Sequence, residues 1–177
     1  MRYELENDYS EGGSAEFYYI KGRKDLGFKQ FRNKRCADIA YKNQKKLSKY
    51  GLAPKVIGKV RKLKINIKDS LIENFKIDTN WGYVTEMAKI PSYTPELKPK
   101  FLKKIQVLVD QIQEKTKLKF WDCHYDNVGY VKRKNRIKLV CIDTGKESFC
   151  SLSNAWGNAN PGPSCNQCNK YLCGCYM

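Results

Sequence analysis

The sequence predicts an α+β fold in two parts. Residues 1–90 form an antiparallel sheet with one helix, residues 91–149 a truncated, minimal second part, and residues 150–177 a Cys-rich tail. Three observations carry the prediction. Short β-branched and aromatic runs bounded by Gly, Asp and Lys read as paired strands. Two apolar stripes at three-or-four spacing read as helices. A late pair of apolar runs around a charged turn reads as a hairpin. At 177 residues and 41% hydrophobic, the chain can bury a real core, which excludes collagen-like, coiled-coil and mucin-like architectures.

Taken in order, residues 16–20 (EFYYI) and 26–31 (LGFKQF) read as two strands joined by a turn at Gly22, Arg23, Lys24 and Asp25, with a flexible Gly12-Gly13-Ser14 loop before them. Ala37, Ala40 and Leu47 place a helix over residues 36–50, stopped by Gly51 and reinforced by Pro54. Residues 55–67 alternate β-branched and basic types, as a long strand or hairpin, and 81–87 (WGYVTEM) form a further strand. Thr94-Pro95-Glu96 is a helix start, and Leu97, Phe101, Ile105, Leu108 and Ile112 line one face of the helix that follows, with Pro99 able to move its first turn later. Residues 128–131 and 137–142 close a hairpin through the charged turn at 132–136. From Cys150 the composition shifts to Ser, Asn, Gly, Pro and Cys, with no periodicity and too little apolar surface for a core of its own.

Charge and targeting signals narrow the function classes. The 34 basic and 18 acidic residues leave a formal charge of +16, which attracts nucleic acid, nucleotide phosphates or acidic proteins. Lysine dominates over arginine, which argues for weak, non-specific nucleic-acid contact rather than base recognition. No stretch is apolar enough to cross a bilayer and the N-terminus has no signal-like apolar run, so a cytoplasmic protein with no membrane partner is expected. The 8 cysteines then read as thiols or metal ligands rather than a disulfide framework.

The chemistry concentrates in two acidic turns. One reads Asp122-Cys-His124-Tyr-Asp126-Asn127 and the other Ile142-Asp143-Thr144-Gly145, at opposite ends of the hairpin. An Asp and an Asn on one loop, with a later Asp across a hairpin, suit metal-assisted phosphoryl transfer: one carboxylate orients the attacking hydroxyl, and the Asn and second Asp hold Mg²⁺ on nucleotide phosphates. His124 is the sole histidine and reads as a brace for the loop.

With its D-x-H-x-x-N loop, D-x-G turn and GFKQF strand, residues 12–145 resemble the protein-kinase-like superfamily, closer to aminoglycoside and choline phosphotransferases and other atypical kinases of small viral or phage type. The resemblance implies Asp122 as catalytic base, Asn127 and Asp143 as Mg²⁺ ligands, and Lys29 on the α- and β-phosphates. It also implies Gly12 and Gly13 in the phosphate-covering loop, though without the spaced third glycine, and the backbone of Glu86, Met87 and Ala88 as the hinge that bonds the adenine edge. The first helix has no Glu, so Asp38 is the expected partner of Lys29.

The reading is an ATP- and Mg²⁺-dependent kinase acting on a protein hydroxyl. Its alternatives are a pseudokinase that binds nucleotide without catalysis and a basic, Cys-rich nucleic-acid-binding protein. Independently, Cys165, Cys168, Cys173 and Cys175 follow C-x2-C-x4-C-x-C, a candidate Zn²⁺ site whose second half is geometrically awkward and for which Cys150 is a substitute ligand.

Overall fold

The computed structural model describes residues 4–11, 15–31, 33–62, 81–91, 98–134 and 136–151. Gly12, Gly13, Thr94 and the cysteines at 165, 168, 173 and 175 lie outside them.

A five-stranded sheet opens the chain: β1 (Leu5–Glu11), β2 (Ala15–Ile20), β3 (Arg23–Phe31), β4 (Val56–Lys62) and β5 (Trp81–Glu86), in the spatial order β1-β2-β3-β5-β4. All its pairings are antiparallel. The β2–β3 turn is tighter than the sequence suggests. Gly22 takes φ +73 and β3 already begins at Arg23, so Arg23, Lys24 and Asp25 belong to the strand. β1 is a strand that the polar N-terminus did not announce, since its partner β2 rather than its own composition defines it.

Helix α1 (Lys34–Ser48) starts two residues before the expected position 36, because Asn33 caps it by accepting a hydrogen bond from the Cys36 N–H. It lies on the inner face of the sheet, where Ala37 and Ala40 are buried with Phe31 and Tyr83. Helix α2 (Lys98–Thr116) carries Pro99 in its first turn, where the missing N–H costs no intrahelical bond, and buries Ile105, Leu108 and Ile112.

Two short ladders complete the second half. One pairs β6 (Leu118–Phe120) with β9 (Phe149–Ser151), and the other is the expected hairpin of β7 (Val128–Arg133) and β8 (Arg136–Cys141). Cys150 and Ser151 are therefore strand residues opposite Lys119 and Leu118, a correction to a tail beginning at Cys150.

One apolar cluster unites the halves. Leu47, Leu52 and Ala53 pack into the same core as Ile105, Leu108, Ile112, Phe120, Val128 and Phe149. The outer face of the sheet has its own cluster in Tyr18, Ile20, Leu26, Phe28 and Val84. Among the described residues no helix is long and apolar enough to cross a membrane.

Candidate active site

The inner face of β3 sets the position of Lys29. In an extended strand successive side chains alternate, so Gly27, Lys29 and Phe31 face α1 while Phe28 and Gln30 face outward. Lys29 stands opposite Tyr83 on β5, and a side chain at Gly82 would run into the Lys29 carbonyl, so glycine lets the two strands close here. At Gly27 a Cβ would run into the far end of the Phe17 ring, which therefore lies over this glycine.

The Lys29 ammonium crosses to the second half of the chain. It donates to the Ile142 carbonyl at 3.0 Å and stands 3.6 Å from Asp143 Oδ1. Residues 113 positions apart meet because the β7–β8 hairpin returns the chain to the sheet. Asp143 is held on both oxygens: the Gly145 N–H donates to Oδ1 at 3.1 Å and the Ser148 hydroxyl to Oδ2 at 2.6 Å. Burial raises its pKa, but the Lys29 charge, the Ser148 hydroxyl and the Gly145 N–H outweigh it, so the carboxyl sits below its ordinary value and is ionised at neutral pH.

Asn127 ends the 3-10 turn Tyr125–Asn127 and joins the two acidic segments. Its amide nitrogen donates to the Asp122 carbonyl at 2.9 Å and to Asp122 Oδ2 at 3.1 Å, and lies 2.9 Å from His124 Nε2. Its backbone carbonyl accepts from the N–H groups of Ile142 and Asp143 at 3.0 and 3.4 Å. With the nitrogen so engaged, the side-chain oxygen is the amide atom left to bind a ligand. Asn127 Oδ1 and the remaining lone pair of Asp143 are hard oxygen donors, the type Mg²⁺ takes from one or two side chains while phosphates and water complete its shell. The residues present therefore fit Mg²⁺. Below them the Cys123 thiol, pushed up to about 12 by burial and the Asp122 charge, and the Cys141 thiol, raised by burial, stay protonated and inert.

Asp38 is not brought to Lys29. It pairs with Lys34 at 2.7 Å on the exposed side of α1. The residue α1 sends toward the site is Gln44, 1% exposed, which donates to Thr85 Oγ1 and the Pro54 carbonyl and accepts from Tyr83 OH at 2.8 Å and Thr144 Oγ1 at 3.3 Å. Asn43 adds a bond to the Thr144 carbonyl at 3.1 Å. The helix is thus fastened to the D-x-G turn by amides rather than to the lysine by an ion pair. Sequence reasoning missed Asn43, Gln44, Tyr83, Thr144 and Ser148. The one available signal was that Gln44 falls between Ala40 and Leu47 on the buried stripe, where a polar residue needs partners.

At the end of β5, Glu86 is a structural clasp. Its carboxylate accepts from the Lys55 N–H and from Arg133, both at 3.0 Å. The Met87 N–H is spent on the Asp25 carbonyl, and Lys89 exchanges backbone bonds with Tyr130. Among the described residues the Ala88 N–H has no backbone partner.

Comparison with known structures places this arrangement. The chain is similar to the Rio2 kinase of Chaetomium thermophilum, solved as a complex with ADP, Mg²⁺ and phosphoaspartate, at a TM-score of 0.56 and 13% identity. The match covers 86% of this chain and 51% of that one, so the chain spans about half the length of the kinase it resembles. No protein-family model and no curated protein matches the sequence. The fold is protein-kinase-like, with an antiparallel sheet, one helix beside it and a much reduced second half.

Proposed function

We propose that this chain is an ATP- and Mg²⁺-dependent phosphotransferase that acts on a protein hydroxyl. The observation that carries the reading is the meeting of Lys29 with Asp143 at 3.6 Å while Asn127 is bonded to Asp122 and, through its carbonyl, to the Asp143 segment. Four residues from three distant stretches converge, and each has the chemistry its place requires. Support also comes from the fold, since the similar Rio2 kinase was solved with ADP and Mg²⁺.

In this reading the Glu86 carbonyl and the Ala88 N–H meet the adenine edge, and Lys29 neutralises the α- and β-phosphates. Asn127 Oδ1 and Asp143 would hold Mg²⁺, which would supply positive charge to offset that of the nucleotide phosphates. Asp122 orients the acceptor hydroxyl and takes its proton as the oxygen bonds to the γ-phosphorus and the bond to the β-phosphate oxygen breaks. With the Asp143–Lys29 contact already formed, nucleotide phosphates replace a carbonyl and a carboxylate as the ammonium's partners. A substrate platform of further helices is absent from the described second half, which favours an acceptor that brings its own surface, a protein rather than an enclosed small molecule.

The test is incubation of the full chain with γ-labelled ATP, Mg²⁺ and a mixture of acceptor proteins, with wild type beside Asp122→Asn. Alkali-labile, hydroxylamine-resistant label in wild type only is the expected result, with ATP·Mg²⁺ at about 100 times its Kd stabilising both proteins by roughly 2.7 kcal/mol. Binding without transfer would leave a nucleotide-binding pseudokinase, and no thermal shift with any nucleotide would end the reading.

A further inference from the structure

The exposed side of α1 carries a continuous stripe of cations that the site does not use. Lys34, Arg35, Lys42, Lys45, Lys46 and Lys49 are all exposed, at and just beyond the helix whose opposite face buries Ala37, Ala40, Gln44 and Leu47. At about 100° per residue these six fall within an arc of roughly 120°. Asp38 is the single acid among them, and it is already paired with Lys34. The stripe is extended sideways by β4, an edge strand whose Gly58 carbonyl accepts from Tyr41 OH and whose Lys59 is exposed.

Lysine-rich composition alone does not produce such a surface. Helix α2 comes from the same chain, yet its exposed side mixes Lys100, Lys103 and Lys104 with Leu102, Val107, Asp110 and Glu114. Packing like charges on one helix face costs stability in every i,i+4 pair. Lys42 with Lys46, and Lys45 with Lys49, are such pairs. A surface that gathers its cations on one face in this way is complementary to a regular array of negative charge.

We infer that the α1–β4 face binds the phosphate backbone of a double-stranded nucleic acid, without base recognition. The helix is about 22 Å long at 1.5 Å per residue, and one strand of a duplex presents a phosphate every 3.4 Å or so along its axis, about six over that length. With Lys34 held by Asp38, the other five cations along this rod are spread over a comparable length and can meet phosphates of the duplex backbone. Five of the six are lysines, which meet phosphates as point charges and lack the fork that reads guanine. The stripe faces away from Lys29, because Asn43 and Gln44 on the same helix face the D-x-G turn. Duplex binding is therefore independent of nucleotide binding and leaves the site open.

The test measures fluorescence anisotropy of the full chain on labelled 20-base-pair RNA and DNA duplexes, the matching single strands, poly-glutamate and anionic vesicles, from 50 to 200 mM salt. Wild type is compared with the triple variants K42E/K46E/K49E on α1 and K100E/K103E/K104E on α2. Expected are tighter binding to duplex than to poly-glutamate, equal affinity for unrelated sequences and a log–log salt slope near −4 to −5, from about −0.9 per phosphate. The α1 variant should lose at least 100-fold in affinity while its thermal shift with ATP·Mg²⁺ stays at the wild-type value. The α2 variant should lose less than 5-fold. RNA against DNA identifies the duplex. Equal losses in the two variants would mean diffuse attraction to the +16 surface and overturn the inference, as would preference for poly-glutamate or vesicles.

Discussion

The two helices bury their inner faces in opposite ways. α2 sets Ile105, Leu108 and Ile112 against an apolar core, each 3% exposed or less. α1 buries only alanines and one leucine alongside Gln44, whose amide is bonded to four different residues. One helix is a prop, held by the removal of hydrocarbon from water. The other is a linkage, held at a defined position by polar groups that have one good geometry. A buried amide network contributes little net stability when complete and costs much when broken, so it specifies position more than it adds strength. The contrast separates what keeps this molecule folded from what aligns the groups of its candidate site.

The contrast can be broken by substitution. Ile112→Ala, at a site with no exposed surface, should destabilise by about 2 to 5 kcal/mol and lower the urea midpoint, while the molecules that remain folded bind ATP·Mg²⁺ with wild-type affinity. Gln44→Leu keeps the volume and removes four bonds, leaving the buried Tyr83 and Thr144 hydroxyls bonded only to each other and Thr85 to the Lys55 carbonyl. It should cost about 1 to 3 kcal/mol and, unlike Ile112→Ala, weaken nucleotide affinity by about tenfold in isothermal titration, because Thr144 sits beside Asp143. The smallest effect belongs to Asp38→Ala. Its pair with Lys34 is exposed, so stability should change by less than about 0.5 kcal/mol and nucleotide affinity not at all. A Gln44→Leu protein with intact affinity, or an Asp38→Ala protein without it, would reverse the roles given to the two residues.

Much of this was legible in the sequence, and for a physical reason. Lys29, Asp122, Asn127 and Asp143 carry charge or amide chemistry in an order that few folds require, and the strands and helices around them have strong local periodicity. The site's long-range fastening was not legible. Gln44 is uncharged and, on a helix rich in lysine, looks like one more solvated residue until Tyr83 and Thr144 are known to face it. Asp38, the one acid on α1, is the ion-pair partner that composition suggests, and it lies on the wrong side. β1, β6 and β9 escaped for a related reason. Each is short or polar and exists by pairing with a strand elsewhere, information that composition does not hold.

Leu52 and Ala53 are contributed by the first half of the chain to the core of the second, the Leu52 carbonyl accepts from the Cys141 N–H, and Arg133 reaches back to Ala53 and Glu86. This stitching bears on inheritance as much as on folding. A half that borrows its neighbour's hydrocarbon and hydrogen-bond partners cannot be transplanted between proteins, duplicated by itself or lost while the other survives. Recombination within residues 52–141 would leave cut edges on both sides, with apolar and hydrogen-bond partners lost from each.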